Sequence, residues 1–105
     1  MTDNKLVLST AGSLDQARRI AEELVHRKLA ACVNIVPKIT SIFRWKDKIQ
    51  EAEEWLLLIK TKGSALDELC DALKELHPYD VPECLSLAIE DGLPDYLKWL
   101  EESVK

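Results

Sequence analysis

Glycine is scarce: three in 105 residues leave no glycine-rich loop of the kind that cradles phosphate. Long apolar runs are missing too. The longest, Trp55 to Ile59, falls far short of the ~20 residues that cross a bilayer, so no membrane partner is expected. Positive charge is in deficit, with 14 basic against 19 acidic side chains and a net charge of −5. Affinity for nucleic acid rests on cations facing phosphates, so no nucleic-acid partner is expected either. "MTDNKLVLST" lacks the charged segment and apolar stretch of a signal peptide, which points to a cytoplasmic protein. Cys32, Cys70 and Cys84 are odd in number and show no Cys-x-x-Cys spacing, so in a reducing compartment they read as free thiols. No motif joins a nucleophile to a base. Cys84 with His77 is a possible pair, and Glu51–Glu54 reads as a solvated face. The chain is not expected to be an enzyme.

What remains is the composition of one globular domain, residues 1–105, with 47% hydrophobic and 31% charged residues. Lys5–Thr10 is a short apolar run and reads as a buried strand. Ser13 with Gln16 forms a capping-box pattern. Leu14, Ala17, Ile20, Ala21, Leu24 and Val25 then recur at helical spacing. Ala31–Trp45 and Lys48–Lys62 are rich in β-branched and aromatic residues and flank Lys46-Asp47, which predicts a hairpin. Pro37 marks a bulge or an edge. Arms of this length, roughly 50 Å at ~3.3 Å per residue, must bend or project from a globule whose radius of gyration is near ~13 Å.

Ser64 is the expected N-cap of a second helix whose apolar stripe is Leu66, Leu69, Cys70, Leu73 and Leu76. His77-Pro78 ends it, because a residue before proline is driven out of helical geometry. Cys84–Glu90 alternates as a strand, and Pro94 suits the first turn of a terminal helix carrying Tyr96, Leu97, Trp99 and Leu100. The order gives an α+β, ferredoxin-like split βαβ (βαββαβ plus a C-terminal helix) with an antiparallel sheet. The helices are expected to cover Leu85, Leu87 and Ile89, leaving Cys84, Ser86 and Ala88 on the other face. Because Trp55–Ile59 is apolar on both sides of its strand, that other face should be buried against further copies of the chain.

Imidazole and thiolate together suit copper or zinc, so His77, Cys32 and Cys84 are the candidate metal ligands. In the predicted topology Cys32 and Cys84 open strands at opposite edges and could meet only across a subunit interface. The alternative for His77 is closure of the second helix. Cys70 falls on the core stripe, and His26 lies at the solvated end of the first helix.

"ACVNIVP", "SIFRWKDKI", "EWLLLIKTK", "HPYDVPE" and "YLKWL" together resemble the CutA family of divalent-cation tolerance proteins, in family order over Leu6–Leu100. The resemblance implies a PII-like homotrimer clasped by long hairpins, here with Phe43, Trp45 and Trp55. It implies a role in the response to copper or other divalent cations, and metal ions as partners. Copper-binding bacterial members carry a cysteine before Thr-Ala and two histidines before Pro-Tyr. The corresponding positions here are Ser9 and Leu76-His77. The alternative that the resemblance allows is a PII-like regulatory module binding a small molecule or a protein in clefts between subunits, with His77, Trp45, Lys60 and Tyr79 as contacts.

Overall fold

The computed structural model describes residues 2–105, and its elements follow the expected order. They are β1 (Asn4–Ala11), α1 (Leu14–His26), β2 (Cys32–Trp45), β3 (Lys48–Lys62), α2 (Leu66–Leu76), β4 (Leu85–Ala88) and α3 (Pro94–Ser103). The strands form one antiparallel sheet in the order β2-β3-β1-β4, the split-βαβ arrangement.

The start of α1 is fixed locally. Ser13 Oγ accepts from the Gln16 backbone N–H at 3.1 Å, and Gln16 Oε1 reaches back to the N–H of Gly12 at 3.3 Å, one residue earlier than a standard capping box. Asp15 in the first turn and His26 in the last complement the helix dipole. α2 begins differently from expectation. Gly63–Ala65 forms a 3₁₀ turn, and Ser64 makes no cap. Asp3 supplies the cap from outside: its carbonyl accepts from Gly63 N at 2.7 Å and its Oδ2 from Ser64 N at 3.3 Å. A distant residue replaces the local one.

Val7, Leu57 and Ile59 on the inner sheet face meet Ile20, Leu24, Leu69 and Leu73 from α1 and α2, and this cluster is the main core. α3 seats the fully buried Leu100 beside Ala31, Ala65 and Ile89.

The turn of the hairpin has Lys46 and Asp47 at φ 51° and 62°, the two positive values of a type I′ connection. The ladder runs unbroken from Trp45↔Lys48 to Ile39↔Glu54, where Pro37 and Lys38 (φ 57°) form the bulge, and resumes at Val36↔Leu56. β1 pairs with β3 only as far as Ala11↔Trp55, so the hairpin beyond that point has no third strand. It projects, giving a molecule of 44 × 25 × 23 Å.

Two expectations fail here. Leu85 and Leu87 do not face the helices. β4 pairs Ser86 with the buried Val7, which turns Leu85 (57% exposed) and Leu87 (46%) to the opposite face beside Leu8 and Leu6. A period of two fixes which residues share a face but not which face is covered. Nor does Trp55 belong to the projecting part: it packs against the main core, while Ile42, Phe43, Trp45 and Ile49 are the exposed apolar residues of the tip. The outer sheet face therefore presents Leu6, Leu8, Leu56, Leu58, Leu85 and Leu87, with neither α1 nor α2 over it.

Candidate functional site

β1 and the inner half of β3 end together at Ala11 and Trp55, and the His77-Pro78-Tyr79 corner docks on that end. Two hydrogen bonds hold it. His77 Nε2 lies 2.6 Å from the Thr10 carbonyl oxygen, and His77 Nδ1 lies 3.1 Å from the Tyr79 backbone nitrogen. A carbonyl can only accept and an N–H can only donate, so Nε2 carries the proton and Nδ1 accepts. The ring is 6% exposed and stands 4.4 Å, centroid to centroid, from the ring of Tyr79. The Tyr79 hydroxyl in turn donates to Glu54 Oε2 at 2.8 Å. Gly12 allows that approach, since a Cβ there would lie 3.1 Å from the hydroxyl oxygen.

Beside this corner runs a groove of about 880 Å³ along the projecting hairpin, from Glu54 to Trp45, and against the loop after α2. Phe43, Trp45 and Ile42 give it an apolar wall, while Glu51, Glu54, Asp80 and Glu83 give it carboxylates. Glu54 is buried to 7% exposure. Burial and the neighbouring Glu54 charge push the Glu83 carboxyl up from its ordinary value. Tyr79 is pushed up to about 12, first by burial and then by its hydrogen bond to the Glu54 carboxylate. A folded-state value raised above the unfolded one of about 10 stabilises the fold below that pH, and the contribution is lost as pH rises towards 12. Absorbance titration of tyrosinate in Tyr96→Phe, which leaves Tyr79 alone, is expected to show ionisation near 12. Ionisation near 10 in the folded protein would refute the Tyr79–Glu54 contact.

The predicted metal ligands are not brought together. Both nitrogens of His77 are engaged within the chain. Cys84 is not a free thiol, nor is Cys70: the two form a disulfide joining α2 to the start of β4. The reading of three free thiols is corrected accordingly, and only Cys32 is free. Core packing sets the two sulfurs against one another, with Cys84 packed on the main cluster beside α2. Cys32 lies in β2 at the far edge of the sheet, opposite Lys60. Lys60 Nζ stands 4.0 Å from its sulfur and donates to Asn34 Oδ1. The ammonium opposes any cation at Cys32. Lys60 lies away from the groove, which Trp45 and Tyr79 both line. Ser9, at the position of the family's cysteine, is fully buried on the helix-facing side, its hydroxyl without a partner among the described residues. Among the described residues no three His, Cys, Asp or Glu side chains converge to hold an ion. The residues of one chain thus do not fit a soft-metal site.

Glu54 escaped the sequence reading because an acidic residue on a hairpin resembles a solvated charge, and Glu83 because it lies in an irregular loop where no periodicity marks burial. The signal that was present is the phase of the strand. Glu54 alternates with Leu56 and Leu58, not with the core-facing Leu57.

A sequence profile of the family described as CutA1 divalent ion tolerance protein matches residues 5–103. The chain belongs to the CutA1 divalent ion tolerance family. It is 50% identical over 99 residues to the divalent-cation tolerance protein CutA of Thermus thermophilus, covering 94% of this chain and 96% of that one. A solved structure of the Thermus thermophilus protein superposes with a TM-score of 0.95 at 48% identity, covering 97% of this chain and 99% of the other. A CutA homolog of Xenopus laevis is 52% identical over 88 residues, which is 84% of this chain but 58% of that relative, so the chain spans little more than half of that longer protein.

The CutA relatives also correct the cytoplasmic expectation. A rice relative (44% identical, 95% of this chain and 56% of that one) is named chloroplastic. A structure from Archaeoglobus fulgidus (TM-score 0.94, 41% identity, 97% and 99% coverage) is described as periplasmic. Members of this family therefore carry several addresses, and a short N-terminal stretch does not fix one. Among the described residues no helix is long and apolar enough to cross a membrane.

Proposed function

We propose that the protein serves divalent-cation tolerance as a homotrimer that takes up copper or another divalent cation weakly, with ligands drawn from more than one subunit, and that it is not an enzyme. Family membership supports the tolerance role. The observation that carries the assembly is the outer sheet face, where Leu8 is flanked by Leu58 on one strand and Leu85 on the other with neither α1 nor α2 over them. Six leucines across three strands form an apolar patch of the kind that marks an interaction surface. The exposed apolar tip of the hairpin, Ile42 to Ile49, gives each copy a means to reach a neighbour.

The side chains support a reading with ligands from several subunits. His77 and Cys84 have their donor atoms engaged, and the groove offers hard carboxylate oxygens without a converging triad. Carboxylates suit hard divalent cations, whereas Cys32 remains the soft donor, weakened by the Lys60 ammonium beside it, in keeping with weak binding. Competitive copper and manganese titrations on the intact protein test this reading. Weak binding is expected at less than one ion per chain. It should fall at least tenfold in Cys32→Ala for copper or in Glu83→Gln for manganese, and be lost in a variant that cannot assemble. Binding that persists unchanged in a monomeric variant would overturn the shared site.

A second reading has its own observation. Trp45 and Tyr79, two of the four contacts expected of a PII-like regulatory module, line the same groove, and an aromatic wall facing carboxylates suits a small organic ligand. Saturable quenching of Trp45 by a metabolite, unaffected by metals, would favour it.

A further inference from the structure

The loop between α2 and β4 has unusual boundary conditions. Residues 77–84 contain no regular secondary structure, and four of them, Tyr79, Asp80, Val81 and Glu83, line the groove. At its start the loop is anchored by His77 on Thr10 and Tyr79 on Glu54. At its end stands β4, four residues long, paired with β1 and with no other strand. The anchor at that end is covalent: Cys84 immediately precedes β4 and is joined to Cys70, 14 residues earlier in the middle of α2.

The covalent link works against an electrostatic load. Glu83 sits directly before Cys84 and faces Glu54 across the groove, and the two carboxylates repel. Without the link, relief comes from the Glu83 end of the loop swinging away, held then only by the half-buried packing of Pro82, Glu83 and Cys84, since Asp80 and Val81 before them are exposed, Val81 by 70%. With the link, Cys84 stays within a Cα–Cα distance of 6.2 Å from Cys70, and the groove wall stays with it.

We propose that the Cys70–Cys84 disulfide is a redox-responsive staple that fixes the part of the groove wall carrying Glu83, so that a thiol reductant releases that part while Tyr79 keeps its own anchors. Both cysteines are half-buried and so within reach of a reductant. The co-reactant is a dithiol. Its thiolate attacks one sulfur of the pair, forming a mixed disulfide and releasing the other cysteine as a thiolate, which takes up a proton. The second thiol of the reductant then displaces the remaining cysteine. Two electrons and two protons have passed to Cys70 and Cys84, and the dithiol leaves as its own disulfide. Cys32 takes no part, being at the opposite edge of the sheet. The inference stands apart from the metal reading and survives if that reading fails.

The test uses the full chain. Alkylation in denaturant without reductant should label one thiol, Cys32, and after dithiothreitol all three. Hydrogen exchange followed by mass spectrometry at pH 7 should then show the segment from Asp80 to Ala88, whose ladder amides lie in β4, exchanging at least about tenfold faster in the reduced protein, with α1 changed by less than about twofold. Cys32→Ser should leave that contrast intact. The double variant Cys70→Ser/Cys84→Ser should show the fast loop without reductant. If it does not fold, the reduced natural chain decides alone. Three labelled thiols before reduction would overturn the proposal, as would unchanged loop exchange in a chain whose three thiols are all labelled after reduction.

Discussion

His77→Ala is expected to destabilise the folded chain by about 2–4 kcal/mol, read as a shift of the denaturant midpoint at fixed protein concentration. Both ring nitrogens are spent on backbone groups, and alanine replaces neither. The Thr10 carbonyl and the Tyr79 N–H would be left at a site that the imidazole now fills to 6% exposure. Each orphaned buried group costs about 1–3 kcal/mol, and the ring's volume adds a cavity. His77→Phe separates the two contributions, since it restores most of the volume and neither hydrogen bond. A loss below about 1 kcal/mol in His77→Ala would mean that the corner is held by Pro78 and the disulfide instead. The same residue would then be free to act as a ligand, so this measurement also bears on the metal reading.

The second large effect is expected from Leu8→Glu. Leu8 sits between Leu58 and Leu85 at the middle of the outer sheet face, with no basic residue directly opposite it on either neighbouring strand. A carboxylate there is tolerated by an isolated chain, whose outer face meets water. In an assembled trimer it must be buried without a partner, at a cost of several kcal/mol per subunit. Association should weaken by at least about 100-fold, or ~2.7 kcal/mol. Sedimentation at micromolar concentration should find monomer for Leu8→Glu and trimer for the natural chain. A variant that sediments as the natural chain does would remove the outer face from the interface, and with it the basis for ligands shared between subunits.

Much of this architecture was legible in the residues. Hydrophobic period located β1, α1, α2 and α3 within a residue or two, and the capping pair Ser13–Gln16 fixed where α1 begins. Lys46-Asp47 between two β-rich runs placed the turn, and Pro37 placed the bulge. These are local signals, decided by neighbours along the chain. What was misread depends on partners far away in sequence. The start of α2 is capped by Asp3, not Ser64, a bond across 61 positions. The orientation of β4 follows from its register with β1, which alternation alone leaves two-valued. The disulfide was invisible because 14 residues and a change of element separate its cysteines, and an odd cysteine count in a chain read as cytoplasmic favoured free thiols. In the site, His77 and Tyr79 were singled out as a candidate metal ligand and a candidate cleft contact, and the structure gives them a structural bond network. They are bound to one another, to Thr10 near the end of β1 and to Glu54 midway along β3, and Glu54, which completes the set, was passed over as a surface charge.

The hairpin beyond Trp55 poses a question of material strength. Its two strands have no third strand beside them, and a lone two-stranded ribbon is marginal in water. The globular end, with its closed core, holds its shape by itself. The ribbon must borrow its rigidity from whatever it lies against. If copies assemble as proposed, chain order at the tip is a collective property, set by how many copies are present. Dilution should soften the ribbon before it disturbs the globule.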